Sequence, residues 1–205
     1  MTLRNLRERL PEAAGEIFAE KGFKGATVRE IIERAGVNIA AVNYYFRDKE
    51  RLYIEAVKRA DCGELEGPHL AWPPTGKLRD FIYFQLLKFL APGRPAWLAR
   101  LIMRERTQPS GACAEWVREY IEPRSKILLG LLRELLPPHT PRRKRYLTAF
   151  RIVGPCHFYC SHQPIIRVLI GEDAYQRLDL TILADHITQF TLRALGVAQP
   201  GEPGT

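Results

Sequence analysis

The chain has 205 residues, 46% hydrophobic and 26% charged, with a net charge of +8. That is enough apolar material for a buried core, either in one large domain or in a small domain joined to a larger one. No run of about 18 apolar residues exists, and the amphipathic start TLRNLRERLPEAAGEIF lacks the apolar stretch of a secretory leader, so we expect a soluble, cytoplasmic protein with no membrane partner.

The basic excess is spread along the chain. Residues 1–60 hold 12 Lys/Arg against 9 Asp/Glu, and residues 111–150 hold 8 against 4. Charge therefore permits nucleic-acid binding without marking its surface. Apolar residues recur at spacings of three and four, so every element is read as a helix. Leu10, Ala13, Ala14, Ile17 and Phe18 form the first apolar face, and Gly22 is a natural stop. The tetrapeptide TVRE is a capping box: Thr27 caps, and Glu30 reaches back to the amide of Thr27. Val28, Ile31, Ile32 and Ala35 form the second face, ended by Gly36. Asn38 can cap a third helix over Ile39 to Phe46, and Asp48 a fourth carrying Leu52, Ala56 and Val57. Residues 61–76, rich in Gly and Pro, read as a loop. Helical patterns then run over 77–91, 94–107, 113–136, 142–162 and 175–195. A short apolar piece near 164–171 reads as a turn or helix, and the tail GVAQPGEPGT as disordered.

Two short helices joined by a glycine turn are the skeleton of a helix-turn-helix. At 100° per residue, Ile39, Val42 and Phe46 fall on one side of the third helix. Ala40, Ala41 and Tyr44 point the other way, with Asn43 and Tyr45 on the flanks. A face this bare lets a helix approach base edges: alanine can touch a thymine methyl, and an Asn amide can pair with adenine. Tyrosine hydroxyls and helix N-terminal amides can hold phosphates.

The stretch FAEKGFKGATVREIIERAGVNIAAVNYYFRDKERLY resembles the N-terminal domain of the TetR/AcrR family of bacterial regulators. The features that carry the likeness are F-x-x-x-G-F, Thr-x-x-x-Ile-Ile-x-x-Ala-Gly-Val and Tyr-x-Phe-x-x-Lys-x-x-Leu. GVNIAAVNYYF is closer to the CecR-like subgroup, and MRERTQPS and IEPRSKILLGLL add a weaker likeness in the C-terminal half. The chain departs at Asn43, where many members carry tyrosine. The resemblance implies DNA contacts at Thr27, Arg29, Asn38, Ala40, Ala41, Asn43, Tyr44, Tyr45 and Lys49. Thr27, Tyr44, Tyr45 and Lys49 would hold backbone, Ala40, Ala41 and Asn43 would face bases, and Arg29 could do either.

One reading head presents little surface, so a dimer on a palindromic site is expected. Its interface is assigned to Phe150, Val153, Gly154, Leu183, Ile187 and Phe190 on the last two long helices. Gly154 would admit a partner helix, and Pro155 should kink or interrupt its own. The aromatic middle helices could line an effector pocket or be core. Candidate lining residues are Phe81, Phe84, Trp97, Arg104, Trp116 and His157, for a small apolar or aromatic effector. Cys156 and Cys160 are spaced to share an ion, but small buried thiols explain them more simply. We expect no metal and no cofactor. The basic run PRRKRY at 141–146 is either a solvated helix start or a place for an anion, because its cations oppose the helix dipole.

The expected architecture is all-α. Residues 1–48 form a three-helix DNA-binding domain, 49–196 a helical effector-binding and dimerisation domain entered through a long helix, and 197–205 a flexible tail. No G-x-S-x-G, H-E-x-x-H or phosphate-binding glycine loop points to an enzyme. A ligand-responsive regulator, most often a repressor, is the leading reading. The alternative is an adaptor that keeps the fold without operator recognition.

Overall fold

The computed structural model describes residues 3–61, 73–91 and 93–197; within its helices, the side chains of residues 3–8, Ile39, Ala41, Asn43 and Asp61 lie outside the described set. In chain order the helices are α1 (Leu3–Gly25), α2 (Val28–Ala35), α3 (Ile39–Phe46), α4 (Lys49–Asp61), α5 (Pro74–Leu90), α6 (Ala96–Thr107) and α7 (Cys113–Trp116). A π-helical turn (Val117–Ile121) leads into α8 (Glu122–Leu135), α9 (Arg142–Ser161), α10 (Gln163–Ile170), α11 (Glu172–Gln176) and α12 (Leu180–Leu195). No strand occurs among the described residues.

The chain divides into two compact units, one of residues 1–62 and 93–123, the other of 63–92 and 124–205. The boundary expected at residue 48 therefore does not match the units: α4, α6 and α7 pack with the first three helices. In this first unit α1 lies against α2, α4 and α6. Leu10, Ala14, Ile17 and Phe18 are buried on the α1 face read from the sequence, with Ile31, Val42, Phe46, Leu52, Ala56 and Val57. Each large apolar side chain so buried contributes about 1.5–3 kcal/mol. The ring of Tyr53 meets Phe18 edge-on at 4.8 Å. Helical geometry breaks at Gly22, with φ 73° and ψ 175°, a region open essentially to glycine alone.

In the second unit α5 packs on α9 and α12. Its core joins Leu78, Phe81, Ile82 and Leu86 of α5 to Leu128 and Leu132 of α8, Ile152 and Cys156 of α9, and Leu183 and Ile187 of α12. Three expectations need correction here. The stretch 113–136 is not one helix, because the π-helical turn interrupts it. The stretch 175–195 is two helices, since Asp179 caps α12 by accepting from the Ile182 amide at 2.8 Å. Pro155 leaves α9 unbroken: it and Arg151, whose carbonyl loses the bond, lie on the exposed side, where water can replace it.

Candidate nucleic-acid interface

The second helix is held at both ends. The Thr27 hydroxyl accepts from the Glu30 amide at 3.2 Å, and a Glu30 oxygen accepts from the Thr27 amide at 2.9 Å. At the other end Gly36, at φ 65°, donates its amide to the carbonyls of Glu33 and Ile32. Hydrogen bonds from Lys21 and then Thr27 pull the Glu30 carboxyl down to about 2. A lowered carboxyl pKa supports the fold above the ordinary value near 4.5, and that support is lost as the pH falls through about 2. Thr27→Ala is expected to cost about 0.5–2 kcal/mol in urea unfolding; an unchanged midpoint would show that the cap does not hold α2.

That frame presents α3. Val42 and Phe46 are buried, anchoring one side of the helix, while Ala40 is exposed and Tyr44 is 81% exposed. The Tyr44 ring meets Tyr45 edge-on at 4.9 Å. Thr27 and Asn38 are exposed at the helix starts. Arg29 is exposed and pairs with Glu33 at 2.9 Å. The Lys49 ammonium lies 4.8 Å from the Phe23 ring centre. The backbones of Ala41 and Asn43 are in α3, and their side chains lie outside the described residues. Asp48 caps α4 as read from the sequence, accepting from the Arg51 amide at 2.8 Å. The residue before it, Arg47, sits at φ 65°, the only non-glycine with positive φ among the described residues. No local sequence signal marks it, since glycine or asparagine is the usual occupant of that conformation.

Two further clusters tie α4 into the first unit, and neither was singled out from the sequence. The Tyr53 hydroxyl donates to Glu105 at 2.7 Å, and Glu105, fully buried, also accepts from the Ser110 amide and hydroxyl. Lys58 lies 2.6 Å from Glu115 and 2.9 Å from Glu119. Burial opposes the Lys58 charge, but those carboxylates outweigh it and hold its pKa above the usual range.

The aromatic candidates for an effector pocket separate. Trp97 and Trp116 are buried in the first unit, and Arg104 of the same unit donates to the Glu20 carbonyl at 3.4 Å. Phe81 is core of the second unit, Phe84 is half-buried edge-on to Tyr83, and His157 is half-buried on α9. None of the six lines the cavity of about 630 Å³ in the second unit, whose walls include Tyr83, Leu90, Tyr159, Arg167, Tyr175 and Leu183. Aromatic content alone cannot tell a ring that fills a core from one that borders a void. The interface candidates divide as well. Phe150, Gly154 and Phe190 are exposed and Val153 is half-buried, whereas Leu183 and Ile187 are core. Both faces of α12 are apolar, so its pattern cannot say which one turns inward. Cys156 and Cys160 are buried, and burial pushes the Cys156 thiol up to about 12. Among the described residues no cluster of metal-ligating side chains exists.

The order capped helix, glycine turn, exposed short helix is matched by the family model of bacterial regulatory proteins of the tetR family over residues 10–56. Residues 74–195 match the C-terminal domain of the HTH-type transcriptional dual regulator CecR. The chain belongs to the TetR family, with a CecR-type C-terminal domain. It is a DNA-binding transcriptional regulator and not an enzyme. Among curated relatives it is 27% identical to the probable regulator YttP of Bacillus subtilis over 69% of this chain and 68% of that one. It is 34% identical to the dual regulator CecR of Shigella flexneri over 52% of this chain and 53% of that one. The structure of HlyIIR, a hemolysin II transcriptional regulator, superposes with a TM-score of 0.61 at 22% identity, over 91% of this chain and 99% of that one. A tetR-family regulator from Rhodococcus RHA1 gives 0.69 at 18% identity, over 95% and 98%. At those identities the solved structures speak for the all-α fold alone. Among the described residues, no helix of this TetR-family chain is long and apolar enough to cross a membrane.

Proposed function

We propose that this TetR-family protein is a ligand-responsive repressor, acting in the cytoplasm, that binds a palindromic operator as a homodimer. The observation that carries the reading is that Ala40 and Tyr44 of α3 are exposed, backed by buried Val42 and Phe46 and by an α2 capped at both ends. In this reading Ala40, Ala41 and Asn43 meet base edges, while Thr27, Asn38, Tyr44, Tyr45 and Lys49 hold the phosphate backbone. Arg29 joins them by exchanging Glu33 for a phosphate.

The dimer face is the outer side of α9 and α12. Leu147, Phe150 and Phe158 of α9 and Ile182 and Phe190 of α12 are each about half exposed or more. A side chain at Gly154 would meet open space, which leaves room for a partner helix. The effector site is the 630 Å³ cavity. Its polar end is pre-organised: the Tyr175 hydroxyl donates to Gln163 at 3.1 Å, and the Arg167 guanidinium lies 4.4 Å from the Tyr175 ring centre. Leu90, Leu178 and Leu183 supply the apolar side that a small aromatic ligand needs. Release requires only that the effector bind the free conformation better than the operator-bound one.

The test is fluorescence anisotropy on DNA flanking the protein's own gene, with a salt series. Saturable, sequence-selective binding is expected. It should weaken about 100-fold or more in Asn43→Ala/Tyr44→Ala, since the dimer loses two Asn43–base pairings worth about 1–3 kcal/mol each as well as its two Tyr44 phosphate contacts. Weak binding equal in both proteins and on unrelated DNA would mean backbone attraction alone and would sink the operator reading.

A further inference from the structure

The basic run PRRKRY is not used by operator or effector binding, and the structure gives it a setting. A groove of about 390 Å³ lies between α8 and the start of α9, lined by Lys126, Leu129, Arg133, Arg142, Arg145 and Tyr146. Four of these six side chains are cationic and none is acidic. The first turn of α9 carries no acidic residue, and Pro141 at its cap offers no side-chain acceptor. The positive end of the helix dipole thus adds to the cations. Glu134, next to Arg133, is engaged by Lys77 at 3.2 Å. The Arg142 guanidinium leans on Tyr146, 3.4 Å from its hydroxyl and 5.5 Å from its ring centre.

Three of the four cations are guanidinium groups, which do not lose their proton in proteins. Their mutual repulsion cannot be relieved by deprotonation, and none of the six lining residues is a carboxylate. What relieves it is a compact anion with several oxygens, because guanidinium forks pair two donors with two acceptors. We propose that this groove is a binding site for a multivalent oxyanion, a diphosphate-like or polycarboxylate group on a small molecule, separate from the effector cavity and from the DNA-reading helix. The apolar side of Leu129 and the Tyr146 ring at its edge favour a group attached to a larger organic body over a free ion.

Isothermal titration of the full-length protein with inorganic pyrophosphate, and separately with citrate, tests this in buffers matched in ionic strength with chloride. Saturable binding of at least one is expected, weakened about tenfold or more in Arg133→Gln/Arg145→Gln. Preference for pyrophosphate assigns a phosphoryl source, and preference for citrate a carboxylate one. A second readout guards against a misfolded variant. Without added anion the variant should melt at or above the wild-type temperature, since repulsion has been removed. With saturating anion the wild type alone should gain stability. Heat no greater than with chloride, or binding retained in the variant, would overturn the proposal. So would a lower salt dependence of operator binding in the variant, which would make the groove a DNA contact instead. None of these outcomes depends on whether the effector cavity has been correctly placed.

Discussion

Glu105→Ala is expected to lower the unfolding free energy of the first unit by about 3–4 kcal/mol, the largest loss from any single polar group there. The side chain is fully buried and accepts from three donors, the Tyr53 hydroxyl and the amide and hydroxyl of Ser110. Alanine removes every acceptor at once, and each buried donor left without a partner costs about 1–3 kcal/mol. Tyr53 is only 2% exposed, so water cannot take over its bond. Burial first, and Glu105 second, hold the Tyr53 phenol protonated well above its usual range, which keeps the donor in place. Glu105→Gln should cost less, about 1 kcal/mol, because one oxygen remains to accept from Ser110. Urea unfolding followed by tryptophan fluorescence reads this directly, since Trp97 and Trp116 are both buried in this unit. A loss below about 1 kcal/mol for the alanine variant would show that the network does not fasten α4 to α6. The same variant bears on function, because α4 follows the reading helix directly in the chain and Tyr53 and Lys58 are where it is held.

The second large effect is at Gly15. A methyl group there would overlap the six-membered ring of Trp97, which is 4% exposed and packed where α1 meets α6. Gly15→Ala is expected to destabilise by about 2–3 kcal/mol, the usual cost of forcing a close-packed pair apart. The sign is informative, because the same change in a helix with free space would stabilise it by about 1 kcal/mol. Gly15→Ala/Trp97→Leu should cost less than the two single changes together, with a coupling of about 1 kcal/mol or more. Strict additivity in thermal or urea unfolding would mean that the two residues do not touch in this way. The outcome also decides what Trp97 is for, since a ring bordering a ligand cavity could yield to the methyl without loss.

Local signals were enough for much of the first unit. The Thr27–Glu30 box, the Gly36 stop and the Asp48 cap were legible because each is a hydrogen bond made within a few residues. The bounds of α3, Ile39–Phe46, follow from the same local chemistry. The buried face of α1 was legible because its outer side is polar, so the 3.6-residue period has only one apolar stripe to show. The resemblance carried the family before any geometry entered, because its motifs lie in that same locally determined region.

Elsewhere the code is not local. Whether Trp97 fills a core or lines a void depends on Gly15, 82 positions away, offering no side chain. The burial of Glu105 depends on Tyr53 arriving from another helix, and nothing beside Glu105 announces it. On α12, Leu183 and Ile187 turn to α5 while Ile182 and Phe190 stay outside, though all four are apolar. The basic run before Tyr146 was visible at once, but its groove exists only because α8 brings Lys126 and Arg133 alongside. The sequence by itself determined the first four helices, the Thr27, Gly36 and Asp48 caps and the family of the reading head, since short-range hydrogen bonds and periodicity decide those. Only the tertiary structure decided which apolar face is core, which aromatic ring borders a cavity and which cations share a groove, because each of those is set by a partner that the local chain does not name.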